Sequence, residues 1–196
     1  MHTDPRRRTL LLSAAATAGL SIVPARALLA QEAEPARLDV PYVPTPQEVV
    51  DRMLSMGRVG KNDVLYDLGC GDGRIVVTAA KVHGARGTGI DLNPVRIAEA
   101  KENAKKAGVM ERTTFRVGDL FETDVSPASV VTLYLLPTVN AKLRPRLWQQ
   151  LKVGTRVVSH AFDMGPEWPP EQTAEVDGRT IYAWTISQAN KRAVKA

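Results

Sequence analysis

The chemistry of this chain is concentrated in Val64-Leu65-Tyr66-Asp67-Leu68-Gly69-Cys70-Gly71-Asp72-Gly73-Arg74, where an acid ends an apolar run and three glycines follow at alternate positions. Glycines in such a loop permit tight turning and let the backbone approach a ligand at the carboxyl end of a sheet. The dinucleotide fingerprint is G-x-G-x-x-G, which seats a pyrophosphate on a helix start. Here Arg74 stands where the third glycine of that pattern belongs, and the spacing is G-x-G-x-G. Asp67, two residues before Gly69, disfavours a pyrophosphate and favours a cation, so the loop suits a positively charged nucleoside. Two further acids extend the pattern. Asp91 lies 24 residues after Asp67 at the end of a second apolar run, where a carboxylate can accept both hydroxyls of a ribose. Asp119, in Val117-Gly118-Asp119-Leu120, ends a third run, where it can accept from an adenine amino group.

The elements that must position these groups alternate along the chain. Thr45-Pro46-Gln47-Glu48 reads as a capping box with Pro46 at the first helical position, opening an amphipathic helix that ends near Gly57. Strands are expected over Val64 to Leu68, Arg86 to Leu92, Thr113 to Val117, Ser129 to Leu135 and Thr155 to His160. Helices are expected over Arg74 to Val82, from the Asn93 cap and Pro94 to Ala107 before Gly108, and over Val139 to Leu151 with Pro145 as a kink or break. That alternation implies a doubly wound α/β fold with a mostly parallel sheet and right-handed crossovers. The rhythm then changes: Thr173 to Val176 and Arg179 to Ile186 flank Asp177-Gly178, the signature of a two-residue antiparallel hairpin.

A lone glycine loop is equally a plain turn, whereas the loop with three strand-end acids points to S-adenosylmethionine. Residues 40–187 resemble the seven-stranded class I S-adenosylmethionine-dependent methyltransferases. More narrowly, four segments are similar to the family containing the ATP-synthase c-subunit lysine N-methyltransferases: Tyr42-Val43-Pro44-Thr45, Asp67 to Val76, Gly89-Ile90-Asp91-Leu92-Asn93-Pro94 and Leu133-Tyr134-Leu135-Leu136-Pro137. The resemblance implies strand order 3-2-1-4-5-7-6, with the terminal hairpin supplying the last two strands. It implies a cofactor site of Tyr42, Thr45, Asp67, Gly69, Gly71, Gly73, Asp91, Leu92, Asp119 and Leu120. Residues 161–171 are short and Pro-rich for the helix the class places between strands five and six.

Methyl transfer from a sulfonium is an in-line displacement, so the protein must supply alignment and an uncharged nucleophile. A lysine amine with a pKa of about 10.4 is neutral roughly once in 2,500 at pH 7. An enzyme acting on it must desolvate the amine or give its proton a path. Related amino-methyltransferases carry Asn-Pro-Pro-Tyr after the fourth strand. Here that place holds Tyr134-Leu135-Leu136-Pro137, so an amide-based mechanism does not transfer. Backbone carbonyls near Leu135 and Leu136, turned by Pro137, can accept from an amine, and Tyr134 either lines the methyl path or is a core ring. Ser159, His160 and Asp163 follow the fifth strand, with His160 either a base or a hydrogen-bonded strand end. Trp168 and Tyr42 either make cation-π contacts with a methylammonium or pack as an aromatic rim against prolines. Cys70 fills a loop position that needs a small side chain.

Charge and composition bound the rest. The 196 residues carry a formal charge of +5, but residues 31–190 hold 19 basic and 20 acidic side chains. The excess lies in residues 1–30 and in the last six residues, so no basic stripe marks a specific nucleic-acid partner. One cysteine allows no internal disulfide, and one domain over 45–187 must be held by its core. Residues 1–30, with Arg6-Arg7-Arg8-Thr9-Leu10-Leu11 and an apolar stretch to Val23, read as a twin-arginine-like export signal, with an unprocessed basic tail as the alternative. About 14 apolar residues rise roughly 21 Å, short of a bilayer's roughly 30 Å. Residues 31–44 read as an extended lead-in and 188–196 as a basic tail.

The leading expectation is an exported methyltransferase acting on a protein lysine, with a membrane-associated substrate compatible with the leader. A small-molecule amine is the alternative acceptor. An exported, catalytically silent nucleoside-binding module competes with both, because the cofactor is a cytoplasmic metabolite. RNA ranks last.

Overall fold

The computed structural model describes residues 42–194; the expected leader and residues 31–41 lie outside the described residues. Seven strands form one sheet: β1 Val64–Leu68, β2 Arg86–Asp91, β3 Thr113–Val117, β4 Val130–Leu133, β5 Arg156–His160, β6 Gln172–Val176 and β7 Arg179–Thr185. Their order is 3-2-1-4-5-7-6, as expected, with β1 to β5 parallel and β7 antiparallel to both β5 and β6. Asp177 and Gly178 both have positive φ, 47° and 70°. A type I′ hairpin turn demands that of its two central residues.

Alternate residues of the central strands supply opposite cores, the consequence of a period-two pleat. Leu65, Val130, Val158 and Ala183 join one apolar cluster, whereas their neighbours Tyr66, Val131, Val157 and Trp184 join the other. The first cluster packs beneath α1 Gln47–Met56, α2 Arg74–His83 and α3 Pro94–Lys106; the second packs beneath α4 Pro137–Gln150. Val49, Val50, Met53 and Leu54 of α1 are wholly buried. At about 1.5–3 kcal/mol for each large apolar side chain, that stripe rather than its cap holds the helix down, and a charge at Met53 would expel it.

The expected capping box does not form. The residue before α1 is Pro46, with no side-chain cap, and its carbonyl accepts from Val49 and Val50 at 3.1 and 3.0 Å. Thr45 is buried, and its hydroxyl is engaged by a residue far away in sequence. At the other end of the domain, β4 stops at Leu133, two residues before the expected end, because the Leu136 carbonyl caps α4 by accepting from Val139 and Asn140 at 2.9 and 3.0 Å. That helix begins at Pro137 and continues through Pro145, where Leu143 and Leu147 remain buried and anchor both sides of the proline. Residues 161–171 contain no helix, as their length implied.

Residues 188–193, read from the sequence as part of a basic tail, form α5 Gln188–Ala193. Ser187 and Asn190 build a reciprocal capping box, with Asn in place of the usual Glu or Gln. Lys191 Nζ donates to the carbonyls of Trp148, Gln149 and Leu151 at 2.7, 2.7 and 2.8 Å. A cation at the carboxyl end of α4 complements the helix dipole.

Candidate active site

Parallel strands deliver their carboxyl ends to one edge, so the loops after β1 to β4 converge there. Asp67, at the end of β1, sits between Gly89 and Thr132 in register and is almost wholly buried. Burial pushes its carboxyl up to about 7; the Thr132 hydroxyl, donating to Oδ1 at 2.8 Å, opposes this, while the charges of Asp91 and Asp72 add to it. A buried acid with a single hydroxyl donor is a place where a cation would be favourable.

The glycine loop is pinned by its backbone. Gly69 and Cys70 donate to the Ile90 carbonyl at 2.8 and 2.9 Å. Gly71 donates to Asp91 Oδ2 at 2.8 Å, and Asn93 donates to Asp91 Oδ1 at 2.9 Å. Each carboxylate oxygen keeps a further acceptor position. Gly71 has φ 52°, and a Cβ there would lie 2.4 Å from the Tyr42 ring, so only glycine fits beneath that ring. Gly73 is different: its missing Cβ makes room for Ala100 and Phe115, and it is not among the residues that line the cavity. Cys70 is buried, and burial drives its thiol far above the ordinary value, as suits a packing residue.

The segment 42–45 is strapped over this loop. Arg96 stacks its guanidinium 4.4 Å from the Tyr42 ring centroid, and Arg74 donates to the Thr45 carbonyl at 2.8 Å. Arg74 also pairs with Asp72 at 2.7 Å. Burial opposes ionisation of Asp72, but the hydrogen bonds and charge of Arg74 hold its carboxyl below the usual range.

One cavity is lined by Tyr42, Thr45, Asp67, Gly69, Gly71, Asp91, Leu92, Asp119 and Leu120, with Tyr134 and Leu135 closing its far side. Nine of the ten expected cofactor residues therefore meet, all but Gly73. Asp119 is exposed at the rim, and its Oδ1 accepts from Phe121 at 2.7 Å.

The far side departs further from expectation. The Leu136 carbonyl is taken by the start of α4, which corrects its reading as an amine acceptor. Among the described residues, none donates to the Leu135 carbonyl. Pro137 is the first residue of α4 and lies outside the cavity. His160 is buried and also does not line it. Burial, and then the charge of Arg179, lower its pKa to about 4. Its Nδ1 lies 3.2 Å from Thr45 Oγ1, and its ring centroid is 3.9 Å from that of Tyr134. A base of that strength is poorly matched to an ammonium with a pKa near 10.4. Trp168 belongs to the core, between Trp148 and Trp184 at 5.7 and 5.6 Å, and Tyr42 already carries Arg96 on its ring.

Sequence reasoning missed Asn140 and Arg144. Asn140 is fully buried on α4 and donates to the carbonyls of Phe162 and Asp163 at 3.2 and 3.1 Å. Arg144 donates to the Met164 carbonyl and pairs with Glu167. Together they shape the loop that replaces the usual helix. The available signal was an asparagine at the head of the helical stripe Asn140, Leu143, Leu147.

Residues 67–172 match the ANTKMT methyltransferase domain. The chain belongs to this family. A protein named protein-lysine N-methyltransferase from Saccharolobus islandicus (strain REY15A) is 46% identical over 154 residues, covering 76% of this chain and 95% of that protein. The adenine nucleotide translocase lysine N-methyltransferase of Mus musculus is 36% identical over 181 residues, covering 90% and 77%. Among solved structures, a Salinibacter ruber protein described as an RNA methyltransferase, in complex with S-adenosyl-L-homocysteine, superposes with a TM-score of 0.73 at 60% identity, covering 74% of this chain and 95% of that one. This ANTKMT-domain protein is an S-adenosylmethionine-dependent methyltransferase. Its residues fit the cofactor: a buried acid wanting a cation, a second acid with acceptor positions to spare, and a loop in which Gly71, carrying no Cβ, lets the Tyr42 ring close over the cavity.

Proposed function

We propose that the methyl acceptor is the ε-amine of a protein lysine. The observation that carries this reading is the relationship to a protein named a protein-lysine N-methyltransferase across 95% of that protein's length. The mouse relative, named for a lysine of the adenine nucleotide translocase, supports it over most of this chain.

S-adenosylmethionine, when bound, supplies an electrophilic methyl group on a sulfonium. Asp91 would hold the ribose hydroxyls, Asp119 the adenine amino group, and Asp67 would oppose the positive charge. The acceptor wall offers no strong base. Tyr134 and Leu135 present ring and aliphatic surface, and the imidazole behind them is neutral. Desolvation lowers the pKa of an amine, so a lysine entering this mouth loses its proton to water before it reacts. The Leu135 carbonyl, to which no described residue donates, would accept from the amine and aim its lone pair.

The Salinibacter likeness favours a second reading, methylation of RNA. The near balance of 19 basic and 20 acidic residues over 31–190 weighs against it, because RNA affinity rests largely on neutralising phosphates. Incubating the full chain with methyl-labelled cofactor, membrane-protein extract and total RNA separates the readings. Label on lysine, located by peptide mass spectrometry, is expected. Label on RNA alone overturns the lysine reading, label on small amines moves the acceptor class, and binding without transfer supports a silent module. We also propose export through the Arg6-Arg7-Arg8 leader, which a folded-protein route permits with one cofactor aboard. Mass spectrometry of the mature N-terminus in fractionated cells tests it, and intact Met1 found only in cytoplasm overturns it.

A further inference from the structure

We infer that His160 is a positioning residue of the methyl-transfer site, fixing two walls of the cavity against each other rather than moving a proton. Its place in the fold gives it no access to substrate, because it is buried at the end of β5 and stands behind the cavity lining. What it touches does line the cavity. On one side, Nδ1 lies 3.2 Å from the hydroxyl of Thr45, across 115 residues of chain. On the other, its ring packs against Tyr134 at 3.9 Å with an interplanar angle of 35°. The remaining aromatic contact of Tyr134 is Phe162 at 6.5 Å, too distant to fix the ring alone.

Both ends of this bridge are themselves anchored. The Thr45 carbonyl accepts from Arg74, the first residue of α2, so the threonine is held from the cofactor side and from the acceptor side at once. The backbone of His160 pairs with Ile181 of β7, and the next amide, Ala161, donates to the Thr180 carbonyl at 2.7 Å with φ 66°. The imidazole is therefore set by the sheet and transmits that setting to Thr45 and Tyr134. Its low pKa agrees, since a ring that stays neutral gains neither a second N–H nor a charge across the working pH range. In-line transfer is sensitive to such placement: an error of about 1 Å costs on the order of a hundredfold in rate.

A double-mutant cycle on the full chain, using Thr45→Val, His160→Phe and both together, tests the inference. S-adenosyl-L-homocysteine affinity is read by calorimetry, and the rate of label transfer into membrane-protein extract is read at saturating cofactor between about pH 3.5 and 8, spanning the titration of His160 near 4. His160→Phe keeps a ring against Tyr134 and loses the bond to Thr45. Each single variant is expected to weaken the measured affinity or rate by about tenfold, and the double variant to be no worse than the poorer single, the signature of a shared unit. The pH profile of His160→Phe keeps the wild-type shape, and Thr45→Ser, which restores the hydroxyl, recovers most of the loss. Additive losses in the cycle overturn the inference. So does a loss of about a hundredfold or more in rate for His160→Phe alone, with Thr45→Val near wild type and the acidic limb of the profile removed, as a general base would give. The calorimetric cycle decides without an acceptor, so failure of the lysine reading does not disturb it, and thermal melts identify a variant that has not folded. His160→Gln replaces the phenylalanine variant in that event.

Discussion

The cofactor side and the acceptor side of this cavity are built by different means. The cofactor side uses backbone conformation and pairing within one strand-loop-helix-strand unit: positive-φ glycines, Asp91 accepting from Gly71 and Asn93, and Arg74 closing on Asp72 two residues away. The acceptor side uses contacts between distant segments: Thr45 with His160, Tyr134 with His160 and Phe162, and Asn140 with Phe162 and Asp163. A binding site for one invariant ligand can be written into a loop, whereas a wall facing a variable acceptor is assembled from whatever the fold brings together.

The largest test of this contrast is Asp91→Ala. It removes charge-assisted acceptors worth about 1.5–3 kcal/mol each, so S-adenosyl-L-homocysteine affinity is expected to fall a hundredfold or more by calorimetry. A loss of less than tenfold would show that the cofactor side does not depend on its strand-end acid. On the acceptor side, Asn140→Ala strands the carbonyls of Phe162 and Asp163 and is expected to cost about 2 kcal/mol in denaturant unfolding. Turnover should drop severalfold, with cofactor affinity inside a factor of two. Equal losses in affinity and turnover would erase the distinction between the two sides.

Asp67 makes the contrast depend on pH. With its carboxyl near pH 7, affinity for the sulfonium cofactor is expected to rise about tenfold between pH 6 and 8, as the acid ionises, and to rise much less for neutral S-adenosyl-L-homocysteine. Stability without ligand runs the other way. A folded pKa raised above the ordinary 3.8 means the folded chain binds the extra proton, so this contribution is complete below about pH 3.8 and is lost as pH rises through about 7. Asp67→Asn should flatten both profiles, and a variant retaining the wild-type slope would assign it to another group. The smallest effect is expected for Lys191→Met, far from both sides: about 1 kcal/mol of stability from its bonds to the end of α4, with affinity and turnover unchanged.

What could be read in advance follows the same division. Asp67, Gly71 and Asp91 were legible because residue type and spacing mark them locally, at a strand end or in the loop that follows it, although Thr132 and Tyr42 that pack on them are distant in sequence. The hairpin at Asp177-Gly178 was legible because turn type is a local demand. The α1 cap was misread for the opposite reason: Thr45 has a suitable side chain and spacing, but burial beside His160 offered its hydroxyl a different partner. Leu136 looked available as an acceptor until α4 began one residue later and took its carbonyl. Asn140 and Lys191 were overlooked because a polar residue in a helix reveals nothing of the carbonyls another segment will bring to it.

By itself, then, the sequence determined the class of fold and the spacing of the cofactor-side residues, since hydrophobic period, glycine spacing and strand-end acids act over a few residues, whereas the strand order followed from the family resemblance. The tertiary structure alone decided that His160 is a buried, neutral strut, that Trp168 is core and that α4 holds the acceptor loop. Those outcomes depend on burial and on partners up to 115 residues apart, and neither is a property of any local stretch of chain.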